Sequence, residues 1–550
     1  MYREFCITRQ SSWLFLFICL VFSTVINAKS NSNNNDLIEL GRRIYVEGIL
    51  PSGKSLQGTR AKSVQVEGDA AACETCHRRS GMGSLEGNIV VPPITGRFLF
   101  ATDDNRPIAL VDPRAPKNVT RAHAPYNEKS FGKALLNGLS VSGRNMNALM
   151  PQYALNNKEI KALMAYLHSL SAELSPGITD DKVHFATIVT PDVDPKQSDV
   201  MLKMINAAFS QRNAAQENYS GRMRMPLDLI PRTLRNWDLK VWELKGTPDT
   251  WNAQLEENYR REPVFAVISG LSNTTWTPFH KFCEQQKLPC MLPSINLPPQ
   301  QTSFYSLYYS GGLELETKVL AKHLRDLGAK SPKRLVQIYR DNESGHAASH
   351  ALTEALRDSG IQVIDRLLAG QSLDDTNEAL KDLSNEDTVM LWLDPSDLSA
   401  VGKAATKLAA SAIYASGIFV KDDFSAISKE WLSRLHVVYP YELGDKRQKN
   451  VSTLVKWLKT WNLPLVNDRF QSEVFFNLLF LTDLFSQMLD NLYRDYMIER
   501  AEDMLSLGSN VSVYPHLSLS RGQRFASKGA YIARFDENGN LAAESEWIVP

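Results

Sequence analysis

The sequence of 550 residues predicts a multidomain protein, with a small all-α domain followed by a larger α/β part built on parallel sheets. Three observations lead there. The length exceeds what one hydrophobic core serves, since single cores stop growing near roughly 250–300 residues. Residues up to about 172 place helical patterns on either side of a stretch rich in Gly, Pro, Arg and Asp. From about residue 183, short apolar runs alternate with amphipathic helices, the pattern of βαβ units.

Lys+Arg and Asp+Glu are equal at 61 each, and hydrophobic residues make up 43%. A formal net charge of zero gives no basic balance for nucleic acid or an anionic membrane. An apolar run from Trp13 to Ile26 follows a start carrying Arg3 and Arg9, and ends at Asn27-Ala28. That is the shape of a secretory signal peptide over 1–28, the rival being a retained anchor, for which the run is short. The expected location is therefore the periplasm, with no membrane span after cleavage. Of the cysteines beyond residue 28, Cys283 and Cys290 lie where a helix gives way to a strand, and an oxidising compartment favours a disulfide between them over two buried thiols.

Along the chain, Leu37, Leu40, Ile44 and Tyr45 follow helical spacing beside Gly41. A helix is expected near Glu128–Asn137, and another from Asn156, where Asn caps and Glu159 stands three residues on. Ile160, Leu163, Met164, Leu167 and Leu170 give the latter one apolar face. Residues 173–182, with Pro176-Gly177, read as a linker. The strands expected beyond it are His184–Thr190, Leu239–Leu244, Val264–Ser269, Arg334–Tyr339, Thr388–Leu393 and Val437–Tyr441. Intervening helices include Asp199–Gln211, Thr277–Gln286, Leu313–Leu327, His346–Asp358 and Ser399–Leu408, with a long one at Ser472–Leu492 and a hairpin near the C-terminus.

Cys73-Glu74-Thr75-Cys76-His77 carries the chemistry. Two thiols three positions apart reach the two vinyl groups of one haem c, and the adjacent His meets the iron. A thioredoxin-like thiol pair needs a preceding strand in a βαβ unit, and the loop-rich context here does not supply one. Met82, His123, Met146, Met150 and Met164 are the candidates for the sixth ligand. Met164 sits on a core face and Met82 is too close behind the motif. Met150 precedes Pro151, which keeps it extended; Met146 and His123 stand next in line. Gly48-Ile49-Leu50-Pro51-Ser52-Gly53-Lys54-Ser55 spells a phosphate loop, but lacks the strand before and the helix after that would aim its amides.

On these motifs, with Pro92-x-Ile94-x-Gly96 and Met150-Pro151, residues 36–172 resemble a class I cytochrome c domain. The resemblance implies that Gly41 lets the first and last helices cross at Tyr166 and Leu167, and that the Pro92 carbonyl accepts the His77 Nδ1 proton. It reinforces Met150 as the ligand and leaves room for an insertion around Ala101–Asn118. Residues 183–550 resemble a type 1 periplasmic binding protein of the leucine/isoleucine/valine-binding branch. The motifs are Phe185-Ala-Thr-Ile-Val-Thr, Pro263-Val-Phe-Ala-Val-Ile-Ser-Gly, Leu288-Pro-Cys-Met and Arg334-Leu-Val-Gln-Ile-Tyr-Arg-Asp.

That resemblance implies two α/β lobes, one taking roughly 183–310 and 440–505, closing on a small-molecule ligand. Ser272, Asn273, Thr274, Thr275, Ser294 and Asn296 then fall where the family meets ligand carboxylates, although the same residue types serve as helix caps. Trp276, Tyr339 and Trp392 line the cleft or belong to the core. His280, His346, His350 and His436 have no metal-ligand spacing, so no enzymatic site is expected. The expected function is a periplasmic c-type cytochrome fused to a solute-binding-like domain, exchanging electrons with a periplasmic dehydrogenase or another cytochrome. The alternative is a solute-binding or sensory protein whose haem is accessory.

Overall fold

The computed structural model describes residues 34–86, 89–101, 123–222, 235–301, 303–370, 372–404, 410–420, 424, 427–505 and 512–550. The signal-peptide segment 1–28, and the expected insertion beyond Ala101, lie outside them. The chain forms two compact units, Met1–Leu174 and Ser175–Pro550.

In the first unit, a helix over 34–42 tightens into a π-turn at Arg43–Glu47 and stops at Gly48, whose φ of 61° suits a residue without Cβ. The closing helix Asn157–Ser169 starts with a capping box. Asn156 Oδ1 accepts from the Lys158 and Glu159 amides, and the Glu159 carboxylate accepts from the Asn156 amide. The two helices cross at Gly41, where any Cβ would fall 2.0 Å from the Ala162 carbonyl and 2.7 Å from Tyr166 Cβ. One turn further, Tyr45 and Tyr166 rings meet at 5.2 Å. The helix Glu128–Asn137 adds Phe131 and Leu135 to the same core, with Ile160, Leu163 and Leu167.

The loop-rich stretch holds more regular structure than its composition suggests. Gln57–Arg60 pairs antiparallel with Val64–Glu67 and with Gln152–Tyr153, and Ser84–Glu86 pairs with Ile89–Val91. These strands are two to four residues long, below the length at which alternation becomes visible. The phosphate-loop lookalike is a tight reversal in which the Leu50 amide bonds the Lys54 carbonyl and Ile49 bridges Ser55. No helix follows it.

The second unit contains two parallel sheets with one repeated topology. In the first lobe the order is Asn236–Glu243, Lys182–Val189, Ala266–Ile268, Cys290–Met291, Ser306–Ser310, and then Phe525–Ser527. In the second it is Gln362–Leu367, Arg334–Tyr339, Asp387–Trp392, Ala412–Ser416, Leu435–Tyr439, followed by the antiparallel strands Tyr531–Phe535 and Leu541–Ala543. Within each lobe the first five strands run 2-1-3-4-5, the doubly wound order whose switch point lies between strands 1 and 3. Phe525–Ser527 completes the first sheet, so that lobe includes a third segment beyond 183–310 and 440–505. Within the stretch 173–182, Gly177 has φ 89° and a Cβ there would lie 2.0 Å from the Phe265 amide nitrogen. From Ser175 onward these residues belong to the packing of the second unit.

Aromatic residues fill the first lobe, with Trp251, Trp276, Phe279 and Phe282 all fully buried. Cys283 and Cys290 are disulfide-bonded, with Cα atoms 6.3 Å apart, and join the helix Thr277–Gln285 to the strand it precedes. In the second lobe, Glu316 is fully buried on the helix Gly312–Asp326, accepting from the Ser416 hydroxyl and the Ile418 amide. Burial pushes its carboxyl up from the ordinary 4.5 to about 8. The native state therefore keeps a proton that the unfolded chain releases near 4.5, and stability falls as pH rises from there through about 8. Glu316→Gln should remove that slope. Thermal melts at several pH values between 5 and 8 should show the wild type losing ground to the variant, and a pH-independent difference would mean the carboxyl is ionised throughout.

Candidate haem-binding site

The Cys73–His77 motif forms a single helical turn, Glu74–His77, entered from the 3-10 segment Gly68–Ala71. Such a turn brings Cys73 and Cys76 to one side, with His77 closing it. His77 is 6% exposed, and its Nδ1 lies 3.0 Å from the Pro92 carbonyl. A backbone carbonyl can only accept, so Nδ1 carries the proton and Nε2 the lone pair. Cys73 is buried, and burial pushes its thiol up to about 12 against the opposing pull of its contact with the Tyr153 hydroxyl. Cys76 is more accessible.

These groups share a cavity of about 420 Å³, within the roughly 300–1,000 Å³ of small-molecule and cofactor sites. Its walls are mostly apolar, with Leu99, Phe131, Leu135, Leu163 and Leu167 from the helices and Val91 and Ile94 from the segment around Pro92. A greasy slot with two thiols at its edge and an oriented imidazole in its wall matches the donor set and polarity of a thioether-linked haem. Cys73, Cys76 and His77 would hold the group.

Among the sixth-ligand candidates, Met150, Met146 and His123 line the cavity, whereas Met82 and Met164 are not part of its lining. Met82 is fully buried, its amide bonded to the Ser80 hydroxyl. Met164 packs in the helical core. Met150 is held by its amide on the Asn147 carbonyl, with Pro151 also in the wall. Sequence reading placed Tyr45 on a helix without connecting it to the site, and it passed over Arg60 and Tyr153, which also line the cavity. Tyr153 sits in a two-residue strand and its hydroxyl donates to the Ala71 carbonyl, a contact spanning 82 positions that no local pattern announces.

In the second unit, the loop after Ala266–Ile268 lies at the first lobe's switch point. The Asn273 amide donates to the Asp192 carboxylate at 2.9 Å, and the Thr190 hydroxyl donates to the same side chain. The protein's own carboxylate thus occupies a donor set of the kind expected to meet a ligand. Ser272 is buried and its hydroxyl reaches the Thr275 carbonyl at 3.5 Å. Thr274 Oγ1 is buried without a hydrogen-bond partner. The Ser294 amide bonds the Gly270 carbonyl, and its hydroxyl bonds the buried Glu473 carboxyl. Ser272 and Thr274 therefore share one loop, and Ser294 sits on the neighbouring strand end, bridged to Leu271.

Trp276 and Trp392 belong to the core. Trp276 packs on Phe279 at 4.3 Å, and Trp392 donates from Nε1 to Gln337 within the second sheet. Tyr339 is buried edge-on to His346. His280 and His436 pair with Tyr308 and Glu544. Among the described residues no group of three or more His, Cys, Asp or Glu side chains is placed to hold a metal ion.

A domain made to hold a covalent haem, followed by a two-lobed α/β binding fold, defines the class of protein. Comparison with known families gives the particulars: residues 68–171 match the cytochrome c family model, and residues 238–453 match a periplasmic binding protein model. The chain is thus a cytochrome c domain fused to a periplasmic binding protein domain, and the former implies a covalently bound haem c. A possible leucine/isoleucine/valine-binding protein from Rhodopirellula baltica is similar in structure, with a TM-score of 0.50 at 13% identity over 68% of this chain and 98% of that one. A leucine-binding protein from Thermotoga maritima gives 0.47 at 13% identity, covering 67% and 99%. A Thermus thermophilus branched-chain amino acid transporter protein with bound valine gives 0.47 at 9%, covering 68% and 98%. No curated protein matches the sequence. Among the described residues no helix is long and apolar enough to cross a membrane.

Proposed function

We propose that the protein is an exported electron carrier with one haem c, working in the periplasm beside a domain that binds a small molecule. The observation that carries this reading is that His77, oriented by Pro92, and Met150 line one apolar cavity. Bound there, the haem supplies a one-electron couple. The chain's own residues anchor its edge through Cys73 and Cys76 and keep water from its faces. His77 and Met150 would both hold the iron and so close it to substrates, which suits electron transfer and leaves the protein without an enzymatic role. Its redox partner is another periplasmic carrier, such as a dehydrogenase or a cytochrome. The binding lobes take their ligand at the switch point beside Ser272, Thr274 and Ser294.

An absorbance spectrum tests the carrier reading. The oxidised protein should be low-spin and show the weak red-edge band of a thioether sulfur on ferric haem. Met150→Ala should abolish that band and convert the iron to high spin or to a weaker substitute ligand such as Met146 or His123. A resting wild-type protein that is high-spin would sink the reading.

A further inference from the structure

We infer that Tyr45 and Ser84 are positioning residues that clamp the peptide carrying His77 and thereby set the reduction potential of the haem. The inference rests on the reading of His77 as an axial ligand. The carbonyls of three consecutive residues each have a donor, two from the adjacent residues Gly83 and Ser84 and one from the first helix. Cys76 O accepts from Ser84 Oγ at 2.9 Å, His77 O from the Gly83 amide at 2.9 Å, and Arg78 O from Tyr45 Oη at 2.7 Å. Arg78 O also accepts from the Gly81 amide at 3.2 Å.

The donors are themselves immobile. Tyr45 is fully buried, its ring against Tyr166, and Ser84 is 7% exposed. The clamp and the side-chain bond meet in one loop. Gly83 has φ 74°, and a Cβ there would lie 2.0 Å from the Val91 carbonyl and 2.9 Å from the Pro92 carbonyl. Only glycine lets the segment that holds the His77 backbone run directly against the segment whose carbonyl holds its Nδ1. The Ile94 amide ties the same pair together at the Gly81 carbonyl, at 2.8 Å.

The clamp also holds a conformation the chain would not keep by itself. Arg78 has φ 65° and ψ 169°, a region that costs a non-glycine residue of order 1–3 kcal/mol unless its surroundings fix it. A phenol hydroxyl on the Arg78 carbonyl is such a fixture. If it is removed, the His77 peptide gains freedom and the Nδ1 bond to Pro92 weakens. That bond raises the electron-donating power of the ring and so favours the oxidised iron. Loosening it raises the potential.

The test is the midpoint potential and melting temperature of the full-length haem-loaded protein, wild type against Tyr45→Phe and Ser84→Ala. Tyr45→Phe keeps the packed ring and loses only the hydroxyl. It should raise the potential by about threefold in the reduction equilibrium, or about 28 mV for one electron. Ser84→Ala should shift it in the same direction, and the double variant should fall short of the sum because both act on one turn. A fall in melting temperature with unchanged potential in both variants overturns the inference and leaves a structural role only. Should Tyr45→Phe fail to attach haem, Ser84→Ala decides alone. Wild-type protein with no haem attached, or with haem not ligated by His77, would refute the proposed function itself.

Discussion

Replacing Cys73 and Cys76 together by Ala should leave the first unit unable to fold, with the second unit intact. The reason is the size of what haem fills. An empty apolar cavity costs about 24 cal/mol per Å³ where its walls cannot relax. For about 420 Å³ this is on the order of 10 kcal/mol, an upper bound because the mouth admits water. Whole domains are stable by only about 5–15 kcal/mol. The first unit's core is arranged around that space: Phe131, Leu135, Leu163 and Leu167 belong both to the cavity wall and to the hydrophobic cluster. Collapse of the wall would pull apart the crossing of Gly41 on Ala162, where there is no slack. Limited proteolysis of the full-length double variant should cut within 34–174 and spare a fragment beginning near Ser175. A first unit as resistant as the wild type would show that the core closes without its cofactor. Cys76→Ala alone, which leaves one thioether, should give an intermediate result.

Features fixed by local chemistry were legible in the sequence. The Asn156 cap, the Cys73–His77 turn and the strand Arg334–Tyr339 each follow from residues within a few positions. Long-range packing was not. Gln362–Leu367 is an edge strand with a burial pattern too mixed to stand out, and Ala412–Ser416 is a strand of only five residues. Phe525–Ser527 joins the first sheet only through a pairing with Ser306–Ser310, more than 200 positions earlier. For the site, the motif indicated which residues would hold haem, and the resemblance indicated Pro92. Neither indicated what the Tyr45 hydroxyl does, since the residue reads as part of an apolar helix face until that hydroxyl is seen on the Arg78 carbonyl. The anion-binding appearance of Ser272–Thr275 was equally incomplete, because Asp192 lies 81 positions before the amide it engages.

Arg494→Ala should be the most damaging single substitution in the second unit. This guanidinium, 6% exposed at the start of the helix Arg494–Leu505, donates to the carbonyls of Phe265, Val264, Pro176, Gln286 and Lys287 and to the Tyr259 hydroxyl. Burial pulls its proton affinity below the ordinary value for arginine, and no carboxylate touches it among those contacts. The charge is held by carbonyl dipoles. Truncation strips donors from five carbonyls at once, and a buried polar group left without a partner costs about 1–3 kcal/mol. Partial access of water brings the expected total to about 3–5 kcal/mol, a drop of roughly 4–6 °C in the melting temperature of a unit this size. Arg494→Lys should recover little, since three donors at one point cannot span carbonyls arranged around a planar fork. The damage should also reach the loop proposed to meet the ligand. Val264 and Phe265 lead into Ala266–Ile268, the strand that delivers Ser269 to Ser272 at the switch point. Amide exchange should therefore speed up at Ser269–Thr275 as well as at Val264 and Phe265. Acceleration confined to the helix Arg494–Leu505 would mean that Arg494 only anchors its own helix.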